Sequence, residues 1–451
     1  MLVSRRARSV ALAACALLAL TIAGCGQDDD PTDQASAIRL YGTDGNMQNS
    51  FGKEFDGQAG ILDGMKGTTP LTPLPPGFQD RLRAIDPKLN DFLYAAESYD
   101  AVVISGLAAQ LAGSTEPAEI ARQINAVTNT GQRCDSPETC LKLARSGVDI
   151  EYRGISLTRG GFTSAGEPST ASYGTLHFNE SSQLDDGKTE FVGAGDESTA
   201  SNTPPPPPKK QVGGKDDPRD GSPLKIGGLL PRTGDLALAY PPLAAGTQLA
   251  IRELNAAGGV LGDPVTWIDG DDGTDPKTAK ETVAKHVSAG VHVIIGAGAS
   301  GISRAVLPDI IAAGVILFSP CNTDAGLTTV EDEGLYFRTA PSDILQGRAL
   351  ADVILRDGPQ KIALVARKDT YGEGLQSNVR TELERTGIRP DQIKLLAYEP
   401  PPAGSGGATV DFAAGAKEIK DFGAEAVLII GFGESAQVIK AIAAAGIKIK
   451  H

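Results

Sequence analysis

Hydrophobic residues along the chain follow two alternating patterns. Short, β-branched apolar runs such as Val291–Ile295, Val315–Ser319 and Ala426–Ile430 are typical of strands buried in a sheet. Between such runs lie segments with apolar residues at helical spacing, among them Leu243–Ala256 and Pro276–Ala289. Strands that alternate with helices predict a parallel α/β sheet with right-handed crossovers.

The other predicted elements lie on both sides of a proline-rich segment, Gly193–Pro223. This segment contains Pro204–Pro208 and a run of Gly, Asp and Lys, so we expect a solvated linker there. The patterns predict strands at Ile38–Tyr41, within Ile150–Phe162 and at Ala171–Phe178, Lys225–Leu230, Val265–Asp269 and Lys361–Ala366, and helices within Phe78–Leu111 and at Pro117–Val127, Gly374–Arg385 and Glu434–Ala445.

Length and charge narrow the class of protein. A chain of 451 residues with 41% hydrophobic residues can bury more than one core, so we expect two lobes with appended segments. The net charge of −14 argues against a nucleic-acid-binding surface.

The N-terminus has the features of an export signal. Three arginines lie within the first eight residues, and the apolar run Val10–Ile22 that follows is too short to span a membrane comfortably. Small residues then precede Cys25, which resembles a bacterial lipoprotein signal. The resemblance implies a signal peptide at 1–24, lipid on Cys25 and a polar tether at 25–37. An ordinary secretory signal with a chance cysteine is the alternative.

The remaining cysteines agree with export. Cys134 and Cys140 bracket a short polar loop, CDSPETC. This spacing predicts a local disulfide between them, which can form outside the cytosol. Cys321 is left over and is expected to be a buried small residue rather than a nucleophile.

Two neighbouring strand ends carry the candidate chemistry. The strand at Val291–Ile295 opens through GAGASG into a helical pattern, which places bare N–H groups and a positive dipole end around Ser300. The next strand is followed by Pro320, Cys321, Asn322 and Thr323. Together these ends would form one wall of a pocket for a small carboxylate.

The sequence does not support a catalytic site, a metal site or a cofactor site. The GAGASG stretch matches the dinucleotide fingerprint, but the following strand has no acid at its tip for a ribose. Ser300 lacks the Gly-x-Ser-x-Gly context of a hydrolase nucleophile. The DGDDGTD run at Asp269–Asp275 has the wrong spacing for a calcium loop, and the four histidines show no ligand spacing. We therefore predict no enzyme activity, metal or cofactor.

Several phrases resemble one family. LKIGGLLPRTGDLALAY, AIRELNAAGGVLG, IIGAGAS, ILFSPCNTD, FRTAPSD and KDTYGEGL, all within Leu224–His451, resemble the first part of type I periplasmic solute-binding proteins of the branched-chain amino acid ABC transporter class (Leu/Ile/Val-binding protein-like). LYGTDGN, GTTP, ESYDAVVISGLAA and GFTSAGEPSTASYG, within Ile38–Val192, resemble the remaining part. The order of the two parts is swapped relative to that family.

The resemblance implies a fold of two Rossmann-like lobes with parallel sheets, joined by a hinge, in a circularly permuted chain. It divides the chain into a family C-terminal part at 38–192 (lobe 2 at about 38–90, lobe 1 at about 91–162, lobe 2 again at about 163–192), the linker at 193–223, the main part of lobe 1 at 224–341 and the main part of lobe 2 at 342–451. Remnants of two tandem proteins, or a rearranged gene whose product folds poorly, are the alternatives.

The resemblance also implies a ligand site between the lobes. Its carboxylate side would use Ser300, Thr323 and the backbone near Ala299 and Cys321, and its ammonium side would use Tyr371 and Asp44. Tyr240 would lie at the mouth, Tyr99 would line the side-chain pocket, and Glu434 would stand at another lobe 2 strand end. Each has a structural alternative: a helix cap for Ser300, a turn for Thr323 and Asp44, packing for the tyrosines and a helix-end charge for Glu434.

The function implied is capture of a small amino acid or amide-like solute. The protein would be lipid-anchored on the extracytoplasmic face of the cell membrane, would bind no nucleic acid, and would deliver its solute to the permease of an ABC importer. A ligand-sensing module for a signalling partner and a non-functional rearranged product are the alternatives. The identity of the ligand is beyond the sequence.

Overall fold

The computed structural model describes residues 37–58, 60–75, 77–204, 206–207, 223–402 and 409–450. The predicted signal peptide, Cys25 and the tether up to residue 36 lie outside the described residues, as does 208–222 of the predicted linker.

The described strands form two large sheets and one small one. In chain order they are β1 Arg39–Gly42, β2 Lys66–Pro70, β3 Gln132–Cys134, β4 Ile150–Tyr152, β5 Thr170–His177, β6 Glu190–Gly195, β7 Lys225–Leu229, β8 Thr266–Ile268, β9 Val293–Gly296, β10 Ile316–Ser319, β11 Tyr336–Arg338, β12 Ile362–Arg367, β13 Ile393–Tyr398 and β14 Ala426–Ile430.

Helices connect most of these strands. They are α1 Asn49–Gly52, α2 Phe78–Arg83, α3 Ala95–Ala112, α4 Pro117–Val127, α5 Pro137–Arg145, α6 Tyr240–Ala256, α7 Pro276–Ser288, α8 Ser300–Ala313, α9 Asp343–Leu355, α10 Thr370–Arg385, α11 Ala413–Phe422 and α12 Ser435–Ala444. Their starts follow local rules: the Asp275 side chain accepts from Thr278 N at the start of α7, where Pro276 occupies the first turn.

One lobe is built on a five-stranded, all-parallel sheet with the order β11-β10-β9-β7-β8. Helices α3 to α8 pack with this sheet or with one another around it. We call this unit the five-strand lobe. It combines residues from both sides of the proline-rich segment, because α3, α4 and α5 precede that segment and the sheet follows it.

The other lobe is built on a seven-stranded sheet with the order β13-β12-β14-β1-β2-β5-β6, and we call it the seven-strand lobe. The strands β13, β12, β14, β1 and β2 are parallel, and at the other edge β5 pairs antiparallel with both β2 and β6. Strand β1 lies between β14 and β2, and Ile38 N donates to Lys448 O at 2.8 Å. This lobe also joins residues from both sides of the proline-rich segment.

Strand β12 shows why the sequences of the central strands are continuous apolar runs. Its side chains alternate between two apolar clusters: Ile362, Leu364 and Ala366 belong to one, and Ala363 and Val365 to the other. A parallel sheet covered by helices on both faces has no solvated side, so polar alternation is lost.

The structure differs from the sequence predictions in several elements. The helical pattern within Phe78–Leu111 is interrupted, since α2 ends at Arg83 and α3 begins at Ala95. Strand β6 runs to Gly195, three residues into the segment expected as linker. The predictions did not include strands β2, β3, β6, β11 and β13 or helices α1, α5, α9 and α11.

The expectation of a polar loop between Cys134 and Cys140 was wrong. Cys134 ends β3, and Cys140 lies inside α5, which Ser136 caps by accepting from Thr139 N. The two sulfur atoms are joined in a disulfide that ties the helix to the strand. None of the helices in the described part of the chain is both long enough and apolar enough to cross a membrane.

Candidate functional site

A small cavity lies between the two lobes. It encloses about 20 Å³, roughly enough for a single water molecule. We call it the cleft cavity. Its walls come from both lobes, from residues Asp44, Gly45, Leu93, Tyr94, Leu236, Ala239, Gly298, Ala299, Ser300, Cys321, Tyr371 and Phe432. In this structure the cavity is too small for a solute larger than water.

The start of α8 forms the wall from the five-strand lobe. Ala299 caps this helix and Ser300 is its first residue. The N–H groups of a first turn have no partner inside their own helix, and they carry the positive end of its dipole. Two hydrogen bonds of the Gly298 backbone fix the segment just before this turn. Gly298 N donates to Asp272 Oδ2 at 2.7 Å, and Asn322 Nδ2 donates to Gly298 O at 2.9 Å. The wall is thus suited to an anion such as a carboxylate.

Residues from the end of β10 complete this wall. Cys321 lines the cleft cavity, and its thiol donates to Gly298 O at 2.9 Å. Burial raises the pKa of this thiol well above its ordinary value. Thr323 does not itself line the cavity. It is 1% exposed, and its Oγ1 has no hydrogen-bond partner within the described residues. Ser300 Oγ accepts from Asp324 N at 3.3 Å.

Asp44 forms the opposite wall, from the loop after β1. Its Oδ1 accepts from Tyr371 Oη at 2.8 Å and from Gln346 Nε2 at 2.7 Å, and its Oδ2 accepts from Tyr94 Oη at 2.8 Å. All three donors are neutral. Burial raises the pKa of Asp44 above its ordinary value despite these bonds. The site would therefore be stabilised by a cation beside this carboxylate.

A second carboxylate, Asp343, lies close to the first and was missed from the sequence. It is fully buried at the start of α9, where its N–H donates to Thr323 O at 2.7 Å. Neither of its carboxylate oxygens forms a hydrogen bond within the described part of the chain. Burial and the nearby charge of Asp44 raise its pKa well above the ordinary value. We call Asp44 and Asp343 the acid pair.

Tyr371 and Phe432 connect the acid pair to a second charged group. Their rings stack at 5.3 Å, and the Arg367 guanidinium lies 4.0 Å from the Phe432 ring centroid. Arg367 contacts Glu434 at 2.8 Å and Asp369 at 2.5 Å. It also approaches Asp235 of the five-strand lobe at 3.6 Å. We call Arg367, Asp235, Asp369 and Glu434 the arginine cluster.

Glu434 therefore holds Arg367 rather than lining the cleft cavity. Its Oε1 accepts from Arg367 and from Tyr398 Oη, each at 2.8 Å. Glu434 is absent from the lining of the cavity.

Two of the predicted site tyrosines are not brought to the cleft cavity. Tyr99 lies between α3 and α6, where its hydroxyl donates to Glu253 Oε2 at 2.5 Å and its ring packs edge-on against Phe78. Tyr240 begins α6, and its hydroxyl accepts from the Arg232 guanidinium at 2.9 Å on the surface of the five-strand lobe. Neither residue lines the cavity.

The residues that sequence reasoning missed had weak local signals. Asp343 follows Ser342 at a helix start, where an acid is explained by the helix dipole alone. Tyr94, Gln346 and Phe432 lie in apolar helical patterns or at a strand end. Their convergence on one cavity depends on tertiary contacts between distant segments of the chain.

The fold and the geometry of this site agree with one class of protein. Residues 223–451, half of the chain, match the periplasmic binding protein family, and the chain belongs to that family.

Named relatives narrow the class. The chain is 30% identical over 230 residues to Leu/Ile/Val-binding protein homolog 2 of Brucella abortus, which covers 50% of this chain and 58% of the relative. It is 34% identical over 143 residues to the leucine-specific-binding protein of Salmonella typhimurium, covering 31% and 38%. The chain thus spans about half the length of the curated relatives it matches. The relatives named here are binding proteins and not enzymes.

Solved structures also resemble parts of the chain. The leucine-binding protein LivK of Thermotoga maritima is 23% identical, with a TM-score of 0.44 over 50% of this chain and 61% of that one. LivJ of Streptococcus pneumoniae, in complex with isoleucine, is 25% identical, with a TM-score of 0.42 over 51% and 63%.

Proposed function

We propose that the protein captures a small amino acid or amide-like solute between its two lobes and delivers it to an ABC importer. The observation that carries this proposal is the opposition of two kinds of wall: Asp44 of the acid pair from one side and the first turn of α8 from the other. An amino acid carries one positive and one negative group, and each wall suits one of them. Removing either charge from water costs several kcal/mol unless it is paired.

In this mechanism the solute binds while the lobes are apart and is enclosed when they close. Its carboxylate takes hydrogen bonds from the α8 amides, Ser300 and Thr323, and its ammonium group lies beside Asp44 and Asp343. Tyr94 and Tyr371, which donate to Asp44 in the described structure, are then free to face the solute. The names of the relatives favour an aliphatic amino acid.

A thermal-shift screen of the purified protein against amino acids, their amides and small carboxylates tests this proposal. A folded binding protein is stabilised by mass action, by about 2.7 kcal/mol when the ligand is at a hundred times its Kd. We expect a zwitterionic amino acid to raise the melting temperature more than the matching carboxylic acid or amine. An equal response to all three would contradict a site that recognises both charges.

We further propose that the chain is a circular permutant of its family. Support comes from β1, which precedes β14 in sequence but lies beside it in the sheet, with Ile38 bonded to the residues after α12. Cleavage at a protease site inserted within 208–222 tests this idea. Because both lobes combine residues from before and after the cut, the two fragments should stay together on native gel filtration and separate only in denaturant. Separation of the two fragments without denaturant would contradict the proposal.

The lipid anchor is proposed from the sequence around Cys25. Replacement Cys25→Ser should move the exported protein from the membrane fraction to the soluble fraction, while the thermal shift with the amino acid is retained. An unchanged membrane fraction would argue against an anchor at this cysteine.

A further inference from the structure

Strand β6 forms one edge of the seven-strand sheet, and its outer side has no neighbouring strand within the described residues. The chain that follows β6 turns toward the five-strand lobe. Ser201 N donates to Phe162 O at 2.7 Å, and Gln123 Nε2 of α4 donates to Pro206 O at 3.1 Å. The described part of the proline-rich segment therefore leaves the outer side of β6 uncovered.

The pairing with β5 shows which backbone groups of β6 face outward. Gly193 lies opposite Ser172 of β5. The Ser172 carbonyl accepts from Leu71 N at 2.9 Å, on the side of β5 that faces β2. Opposed residues in an antiparallel pair either both bond to each other or both bond away. The N–H and C=O of Gly193 thus face the open edge, as do those of Phe191 two residues earlier, and the described residues supply no partner for any of them.

The open edge is apolar and lacks the charges and prolines that usually prevent strand pairing. Phe191 is 47% exposed and Val192 is 39% exposed. Edge strands are commonly protected by proline or by charged side chains, lysine above all. The stretch Phe191–Gly195 contains neither proline nor a charged residue, whereas β13, at the opposite edge, carries Lys394. Strand β6 is therefore a template on which another strand can pair.

The sequence of this edge matches a second copy of itself. In a two-fold pair the strands run antiparallel, and each outward-facing residue lies opposite another outward-facing residue. With Val192 on the axis, Phe191 lies opposite Gly193 of the second copy. The same register places Lys188 opposite Asp196, and both side chains are exposed and oppositely charged. Two such charge pairs therefore flank the paired strands.

The neighbouring two-fold registers bring like charges together. With Gly193 on the axis, Glu190 lies opposite Asp196. With Phe191 on the axis, Asp186 lies opposite Asp196. Like charges opposed across strands are destabilising. The charge pattern around β6 thus favours the register in which opposite charges meet.

Backbone and side-chain contacts both stabilise this register. Phe191 and Gly193 exchange N–H···O=C bonds at two symmetric places, about four hydrogen bonds in all. The Phe191 ring covers the bare backbone of Gly193, which offsets the missing side chain of an edge glycine. The two Val192 side chains meet on the other face, where their positions form a closely spaced, non-hydrogen-bonded pair.

We propose that two copies of this chain form a two-fold dimer in which their β6 strands pair antiparallel about Val192. The two seven-strand sheets then continue as one across the axis. The contact area of a single strand pair is small, so the dimer is weak and depends on protein concentration. It does not depend on the solute-binding function proposed for the cleft, because none of the residues that line the cleft cavity belongs to β6.

Sedimentation equilibrium of the purified full chain at increasing concentration tests the proposal. We expect a dimer with a Kd of about 1 mM or tighter. Val192→Lys places two like charges on the axis and should weaken the dimer about tenfold or more. The matched control Val287→Lys changes a valine of similar exposure, 38%, on α7 and should leave the Kd unchanged. A chain that stays monomeric up to about 1 mM, or equal dimerisation of the two variants, overturns the proposal.

Disulfide cross-linking tests the register directly. A non-hydrogen-bonded antiparallel pair brings its Cα atoms to about 4.5 Å, within the reach of a disulfide. Val192→Cys should therefore yield a covalent dimer under mild oxidation, seen on non-reducing gels, and Val287→Cys should not. Equal cross-linking of the two variants would show that contact at Val192 is not specific and would overturn the proposal.

Exchange of the flanking charges separates this register from others. Lys188→Glu should weaken the dimer, because it opposes two acids at each end, and Asp196→Lys should do the same with two lysines. The double variant restores opposite charges and should recover the Kd of the parent protein. A double variant that dimerises no better than either single variant would contradict the pairing of Lys188 with Asp196, and with it the proposed dimer.

Discussion

Two groups of acids lie near the cleft, and they differ in their partners. The arginine cluster surrounds a guanidinium that is 5% exposed and contacts three carboxylates. In the part of the chain that the structure describes, Asp44 has no such cation: its donors are two tyrosines and a glutamine. Arg338, whose charge reaches Asp343, is itself 1% exposed and bonded to Glu167.

The difference shows that burial of acids alone does not mark a binding site. A buried carboxylate with its own arginine is a structural element, because removing either partner leaves an unpaired charge. A buried carboxylate held by neutral donors retains the capacity to pair with a cation from outside. On this argument the arginine cluster contributes to stability and the acid pair to ligand binding.

The largest effect is expected from Arg367→Met, which leaves three acids without their cation. Loss of one partner of a buried ion pair costs about 3–5 kcal/mol, and we expect the free energy of unfolding, measured by urea titration, to fall by that amount. Arg348→Met is the matched control, since Arg348 is 57% exposed and lies 3.9 Å from Glu382. A loss below about 1 kcal/mol for Arg367→Met would mean that the cluster is not structural.

A change in the acid pair should weaken ligand binding but leave the stability of the protein nearly unchanged. Asp44→Asn keeps the shape of the side chain and removes its charge, so the ligand-free protein should keep its free energy of unfolding within about 1 kcal/mol. Binding of the amino acid identified in the thermal-shift screen should weaken by about 2 kcal/mol or more, as for loss of a buried charge partner. Calorimetry measures this change. Unaltered affinity would remove Asp44 from the site, and Asp421→Asn, on an exposed helix face, provides the control.

The fold was largely predictable because its strands carry strong local signals. Strands β7, β9, β10, β12 and β14 are buried runs between amphipathic helices, and such runs admit few other structures. Strand β13, by contrast, alternates buried and exposed side chains at the sheet edge, and its sequence IKLLAY carries a charge. The local pattern there does not distinguish a strand from a loop.

The lining of the cleft cavity was predictable only where it coincides with a backbone motif. Ala299, Ser300, Cys321 and Thr323 lie at strand ends, and the topology of a parallel sheet brings such ends to one edge. Tyr99 was predicted to line the site but packs between helices in the structure, because a helix face that packs against a neighbouring helix looks the same in sequence as one that lines a pocket. Asp343 and Gln346 were missed because their burial depends on contacts with segments about 300 residues away.

A pH titration of stability extends the comparison to the other acids near the cleft. Burial raises the pKa of Glu97 from 4.5 to about 8 and that of Asp272 from 3.8 to about 7. Between these ordinary and raised values the folded protein holds a proton that the unfolded chain releases. The free energy of unfolding should therefore fall as pH rises, by about 1.4 kcal/mol per pH unit for each group within its own window.

Urea titrations at pH values from about 5 to 8 measure this slope. Glu97→Gln should remove the contribution of one titrating group from this slope, because a neutral side chain does not titrate. Glu116→Gln, at an exposed position, should leave the slope unchanged. An identical slope for Glu97→Gln and the parent protein would show that Glu97 does not hold a proton in the folded protein over this range.

The smallest effect is expected where the arginine cluster meets the other lobe. The Asp235 side chain is 25% exposed and lies 3.6 Å from Arg367, and its carbonyl accepts from Gly433 N at 3.3 Å. Because this ion pair joins the two lobes, Asp235→Asn should weaken amino acid binding by about 0.2–1 kcal/mol, the usual value of a partly exposed pair. Asp269→Asn breaks a pair with Arg232 inside the five-strand lobe and should leave affinity unchanged. Equal effects of the two variants on calorimetric affinity would show that the cluster plays no part in holding the lobes together.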